Sequence, residues 1–280
     1  MVELNSQYDQ QKEVDNIANL VGQGVDGFGM FSFNQQGAIL AAEAGQQAGI
    51  PVVLVDDVGN AIGSGASMVG AVDFDWCGMG EHYAEYMAEQ WPGENFAILA
   101  GNYEAMPTKL INECMLNKAE EIGSNKNVFM QPTMYNVETA VNLTQDLIAS
   151  GTEFGILFVM DDDMGAAVAD LLKSKGMEDD VHLMTQNGSE VGLQMLKEGS
   201  LAYTISSSPG WEGSVAFLML LNAVTGNLPA DGNLQIELPV VPIDANSDLD
   251  DQMVVVPWAP SEVYWDLNAK YFPELLANVE

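Results

Sequence analysis

The sequence predicts an α/β protein of two Rossmann-like lobes, each a parallel sheet flanked by helices, joined by hinge strands. Three observations predict it. The run Ile50-Pro51-Val52-Val53-Leu54-Val55 is apolar without alternation, as a strand buried on both faces must be, and it stops at Asp56-Asp57. The figure recurs where residues 155–160 (GILFVM) run into Asp161-Asp162-Asp163. Strand and helix patterns alternate along the chain with short loops, the signature of parallel strands joined by crossovers. In such folds ligands bind beyond the carboxyl ends of the strands, where both acidic clusters stand.

The elements follow in order. Residues 2–4 are a short strand candidate, and 7–20 carry apolar residues at helical spacing up to Gly22 and Gly24. Residues 25–33 read as a strand and 36–48 as an Ala-rich helix closed by Gly49, ahead of the acid-tipped strand. A Gly/Ser/Ala loop at 60–67 leads to a strand at 68–72 and a helix at 80–90, which Trp91-Pro92-Gly93 breaks. A first crossing between lobes is expected there. The alternation restarts with strands at 95–100 and 127–130, helices at 107–122 and 137–150, and the second acid-tipped strand. A helix at 164–175, a strand at 181–184, a helix at 189–198 and a strand at 201–205 complete the second lobe. Ser206-Ser207-Ser208-Pro209-Gly210 reads as a return hinge, followed by an apolar helix at 211–225, strands at 235–241 and 253–256, and an aromatic segment at 263–272. The first lobe is thus expected over 1–92 plus 208–238 and the second over 93–207 plus 239–280, with hinges near 91–95, 206–209 and 238–241.

Charge excludes several functions. Eight basic residues, all lysines, stand against 41 acidic ones, so the formal net charge is 8 − 41 = −33. Such a surface repels nucleic-acid phosphates and anionic lipid. It reads as a solvated acidic shell suited to high salt, which screens self-repulsion. Cys77 and Cys114 supply neither a disulfide framework nor a metal cluster by count or spacing. No run is apolar for long enough to span a bilayer. The segment 244–248 imitates the start of a calcium loop but lacks its later glycine and glutamate, with Leu249 and Val255 in those places. No metal and no cofactor are expected.

In order, GVDGFGMFSFN (24–34), AGIPVVLVDD (48–57), FAILAGNYEAMPTK (96–109), GILFVMDDDMGAAVADLLKSKG (155–176), VHLMTQNGSE (181–190), LKEGSLAYTISSSPGWEG (196–213) and VYWDLNAKYF (263–272) are spread over nearly the whole chain. This set resembles the type I periplasmic solute-binding proteins, in their ribose-binding and autoinducer-2-binding branch. The resemblance implies a ligand gripped between two lobes, an ABC-type permease as partner, a monomer, and a periplasmic or extracellular location with a lipid anchor as one form of it. It also implies that the family's opening strand and helix are missing ahead of Val2.

Carried over by position, the resemblance points to Phe31 and Ser32 after one strand and Asp56 and Asp57 after the next. Lys109 stands where sugar binders often have arginine, Asp161 where they often have asparagine, Asn187 where aspartate is frequent, and Ser207 where glutamine is. Carboxylates and amides suit paired hydroxyls, and an aromatic face suits the apolar side of a sugar ring. For the aspartates the competing role is capping the following helix or turn. Trp211 is either a stacking face or hinge packing.

With no arginine to clasp a phosphate or carboxylate, the expected ligand is neutral or cationic: a monosaccharide, a polyol or a similar molecule. The expected action is binding without catalysis. Two alternatives stand beside it. One is a metal-dependent nucleotide-sugar glycosyltransferase using Asp161-Asp162-Asp163; the other is the effector-binding half of a transcription regulator.

Overall fold

The computed structural model describes residues 2–32, 34–56, 61, 63–249 and 259–277. Among the described residues, ten strands form two sheets. The first contains β1 (Phe28–Phe31), β2 (Val52–Val55), β3 (Gly70–Phe74) and β9 (Leu234–Leu238) in that order, all parallel. The second has the order β10-β8-β7-β6-β4-β5, from β4 (Phe96–Ala100), β5 (Asn127–Pro132), β6 (Ile156–Val159), β7 (His182–Asn187), β8 (Tyr203–Ser206) and β10 (Val241–Asp244). Among the described strands, only β10 runs antiparallel to its neighbour.

Continuous burial explains the unbroken apolar runs. β4 and β6 are buried at every residue because helices cover both faces of their sheet. The helices begin where a short polar side chain caps the first turn. Asp9 caps α1 (Gln10–Gln23), Asn34 caps α2 (Gln35–Ala48), Asp75 caps α3 (Trp76–Gln90) and Asn136 caps α5 (Val137–Ala149). Between the last two lies α4 (Met106–Ile122), which starts instead with proline in its first turn. Later come α6 (Asp162–Ser174), α7 (Glu190–Glu198), α8 (Pro209–Val224), α9 (Ser261–Tyr271) and α10 (Pro273–Leu276).

Four expectations need correction. Residues 2–4 form no strand; Val2 and Leu4 are exposed and join neither sheet. The helix after β3 begins at Trp76 and packs on the second sheet, although the break at 91–93 had placed it with the first. The Tyr83 hydroxyl donates to the Thr185 carbonyl at 2.5 Å, and the Tyr83 ring lies against Phe158 and Tyr203. An amphipathic helix shows which face is buried but not which sheet it meets. The chain therefore changes sheets at Phe74–Trp76 and not at 91–95.

Cys77 and Cys114 form a disulfide that ties α3 to α4, where no disulfide was expected. The two helices approach at Gly80, where a Cβ would overlap the main chain of Ile111 and lie 2.9 Å from the Met115 nitrogen. Lastly, α9 and α10 pack on α8, which itself lies under β1, β2 and β3. The Trp211 indole donates to Asn268 at 2.8 Å and Asn222 to the Leu275 carbonyl at 2.8 Å, so 259–277 goes with the first sheet rather than the second. The strand expected at 253–256 lies outside the described residues. No described helix is long and apolar enough to cross a membrane.

Candidate functional site

The candidate site gathers at the carboxyl ends of the parallel strands, the position the topology favours. From the first sheet comes Asp56, directly after β2, half-buried and in the left-handed region at φ 64°. Its N–H donates to the Val72 carbonyl at 3.2 Å, so the chain turns sharply while still attached to β3. Aspartate tolerates that conformation better than most residues, since its short side chain bonds locally.

Two further carboxylates meet Asp56. Asp73, on β3, accepts the Phe74 N–H at 3.0 Å and the Trp76 indole N–H. Glu212, in the first turn of α8, is 4% exposed, and its carboxyl stands beside that of Asp56. Oxygen atoms of the three groups lie within 4.8 Å of one another. Burial first, then the charges of Asp56 and Asp73, push Glu212 well above the usual carboxylate range. A hard cation also favours such a set of oxygens. A proton shared within the cluster would likewise relieve the repulsion between neighbouring carboxyl groups.

The second sheet contributes Asp161 after β6, Asn187 at the end of β7, and Tyr135 after β5. Asp161 caps α6 by accepting the Met164 N–H at 2.7 Å. Burial is the main cause that raises its pKa to about 6, and the neighbouring Asp163 and Asp162 add to it. Asn187 adopts φ 112°. Tyr135, also left-handed at φ 55°, shares a 2.8 Å hydrogen bond with Thr108. Its ring fits because residue 101 is glycine, where a Cβ would overlap it. Burial pushes the Tyr135 hydroxyl up to about 12, and the charges of Asp56 and Asp161 act on it in the same direction. One tyrosine thus feels the acid tips of both sheets.

The other anticipated residues divide. Phe31 is exposed at the end of β1, and Lys109 is exposed in the first turn of α4. Ser207 is buried and accepts from Gln186 Nε2 at 2.5 Å. Ser32 is buried and bonded to Glu13 at 2.9 Å, which gives it a structural task. Trp211 is 1% exposed, holds Asn268 and packs against Tyr271 and Phe272. It is therefore packing and offers no face to a ligand. Asp57 lies outside the described residues.

Asp162 is buried and accepts from Thr185 Oγ1 at 2.5 Å and the Ser189 N–H at 2.6 Å. Asp161 and Asp162 are thus committed to capping and loop bonds rather than to a shared metal, which removes the basis of the glycosyltransferase alternative. Sequence reasoning missed Tyr135, Asp73 and Glu212. The first had a visible signal in Pro132-Thr133-Met134-Tyr135-Asn136, an aromatic residue in a turn at a strand end. Asp73 had another, as a lone acid inside an apolar strand.

Residues 1–228 match the family described as periplasmic binding protein domain. A fructose import binding protein, FruE, from Bifidobacterium longum is 27% identical over 212 residues, which span 72% of this chain and 62% of that protein. Among solved structures, an ABC transporter periplasmic solute binding protein from Actinobacillus succinogenes with bound D-allose superposes with a TM-score of 0.78. It is 20% identical and the match covers 88% of this chain and 86% of that one. A solute binding protein from Bacillus halodurans with bound myo-inositol gives 0.78 at 18% identity, over 95% and 85% of the two chains. At these identities the structural likeness speaks for the fold.

Proposed function

The chain belongs to the periplasmic binding protein family, and on that premise we propose that it is the extracytoplasmic solute-binding component of an ABC-type importer. It takes one small neutral polar ligand, a monosaccharide or polyol, between the two sheets and releases it unaltered. The observation that carries this reading is that Asp56 and Asp161, after strands of separate sheets, both stand near enough to Tyr135 for their charges to raise its hydroxyl pKa. Carboxylate oxygens accept from paired hydroxyls, and an aromatic ring covers the apolar side of a sugar. The import binding proteins and sugar-bound structures among the relatives support it. The Cys77–Cys114 disulfide supports an oxidising compartment outside the cytoplasm.

In this reading the lobes are 2–74 with 209–238 and 259–277, and 75–208 with 239–249. Hinges lie at the sheet changes, and ligand contacts from both lobes favour the closed form. The closed form docks on a membrane permease as a monomer, free or lipid-anchored.

The test is calorimetric titration with pentoses, hexoses and inositols, repeated on Asp56→Ala. At least one sugar should bind with a 1:1 stoichiometry. The substitution should weaken it about tenfold or more, the loss of one hydrogen bond to a charged group. Retained affinity in Asp56→Ala would remove the site, and chemical change of the bound sugar would remove the function.

Asp161 adds a pH dependence. If its ionised form accepts a ligand hydroxyl, affinity should fall as pH drops through about 6, roughly tenfold per pH unit below it. In the ligand-free protein the sign reverses. A carboxyl whose folded pKa is raised contributes stability present below its unfolded value of 3.8 and lost as pH rises through about 6. Asp161→Asn should remove the acid-side loss of affinity and reduce the stability trend, as read from dissociation constants and melting temperatures between pH 4 and pH 8.

A further inference from the structure

Glu212 is the acid that the binding reading leaves unused. It stands in the first turn of α8, where a negative charge suits the helix dipole, yet its carboxyl faces Asp56 at the end of β2 and Asp73 on β3. Among the described residues, the charges of those two carboxylates act on it. Among the described residues no lysine forms an ion pair with it, and the sequence contains no arginine. On the side of α9, Tyr264 approaches Gly210, two residues before Glu212. Asp73 is already engaged by the Trp76 indole and the Phe74 N–H.

We propose that Glu212 is a positioning residue for the ligand site: as a neutral carboxylic acid it donates its proton to Asp56 and holds that carboxylate as an acceptor facing the cleft. The inference rests on the binding reading and deepens it, because it assigns the group that orients the ligand's first-sheet partner. Asp56 stands on a left-handed residue at a strand end, and the buried Glu212 carboxyl reaches it from another element. Ionisation of Glu212 sends its proton to solvent. It leaves two charged carboxylates in contact beside a third, and Asp56 swings out of register with the ligand. Ligand binding therefore weakens in base on account of Glu212 and in acid on account of Asp161, and the affinity profile is bell-shaped.

The first experiment needs no ligand. Infrared spectra of the full chain near pH 7.5 should show the carbonyl stretch of a protonated carboxyl group that is lost in Glu212→Gln. In Asp56→Asn, which removes the proton's acceptor charge, this band should titrate away at lower pH than in the wild type. Failure of the band to respond to either substitution overturns the proposal. So does its absence from the wild type, including the case in which added calcium raises the melting temperature because a cation holds the cluster.

The second experiment uses whichever sugar binds best. Wild-type affinity should fall about tenfold as pH rises through the loss of that band, whereas Glu212→Gln, which keeps a donor but cannot ionise, shows no fall. Parallel pH profiles for the two proteins overturn the proposal even when the sugar binds well. A panel with no bound sugar sinks the importer reading alone, since the infrared result judges Glu212 by itself.

Discussion

Asp162→Ala is expected to lower the unfolding free energy by about 3–5 kcal/mol, since each buried donor left without its acceptor costs roughly 1–3 kcal/mol. The Asp162 carboxylate is 1% exposed and joins three elements of the second sheet. It accepts from Thr185 on β7, from the Ser189 N–H that opens α7, and at 3.4 Å from Thr204 on β8. Gly192 makes room for it, since a Cβ there would lie 2.5 Å from its Cγ. Alanine leaves those donors buried and facing a void. Because the same loops carry Asn187 and Ser207, ligand affinity should drop with stability. Urea unfolding measures the first quantity, with Asp163→Ala as the control. Asp163 is exposed one residue further on, and its replacement should stay within about 0.5 kcal/mol. Equal effects of the two substitutions would contradict the assignment.

Reduction of the Cys77–Cys114 bond is the second large effect. The bond closes a segment with a sequence separation of 37, and constraint of an unfolded chain by a loop of that size amounts to roughly 2–4 kcal/mol. The melting temperature should fall when a phosphine reductant is added. The Cys77→Ser/Cys114→Ser double variant should start low and ignore the reductant. A wild-type protein indifferent to reductant would show that the α3–α4 seam, closely packed at Gly80, holds without its crosslink.

What the sequence disclosed depended on whether the information was local. β2 and β6 were legible because a strand buried on both faces leaves an unbroken apolar run, and their aspartate tips because the run stops abruptly. Helix limits were legible to within a few residues, since Asn34, Asn136 and Gly49 mark them with local chemistry. The sheet on which α3 packs was not legible. Tyr83 and Met87 announce an apolar face, and only the folded chain reveals that Phe158 and Tyr203 cover it.

The disulfide was hidden for the same reason, because two cysteines on separate helices become partners only when the helices cross. Trp211 was ambiguous until Asn268 claimed its indole. The contact of Glu212 with Asp56 and Asp73 was the least accessible of all. It joins three elements far apart in the chain, and in α8 a first-turn glutamate reads as an ordinary dipole partner.

The crosslink between α3 and α4 has a mechanical consequence. Cys77 comes only two residues after Asp75, so the segment leaving β3 is anchored almost as soon as it reaches the second sheet. There is little slack in that strap. In the two-lobe reading, rocking of one half against the other is absorbed by the backbone torsions of Phe74–Trp76 and the later crossings, while the tied helices travel as a single block. An oxidised molecule should accordingly swing about a narrower axis than a reduced one.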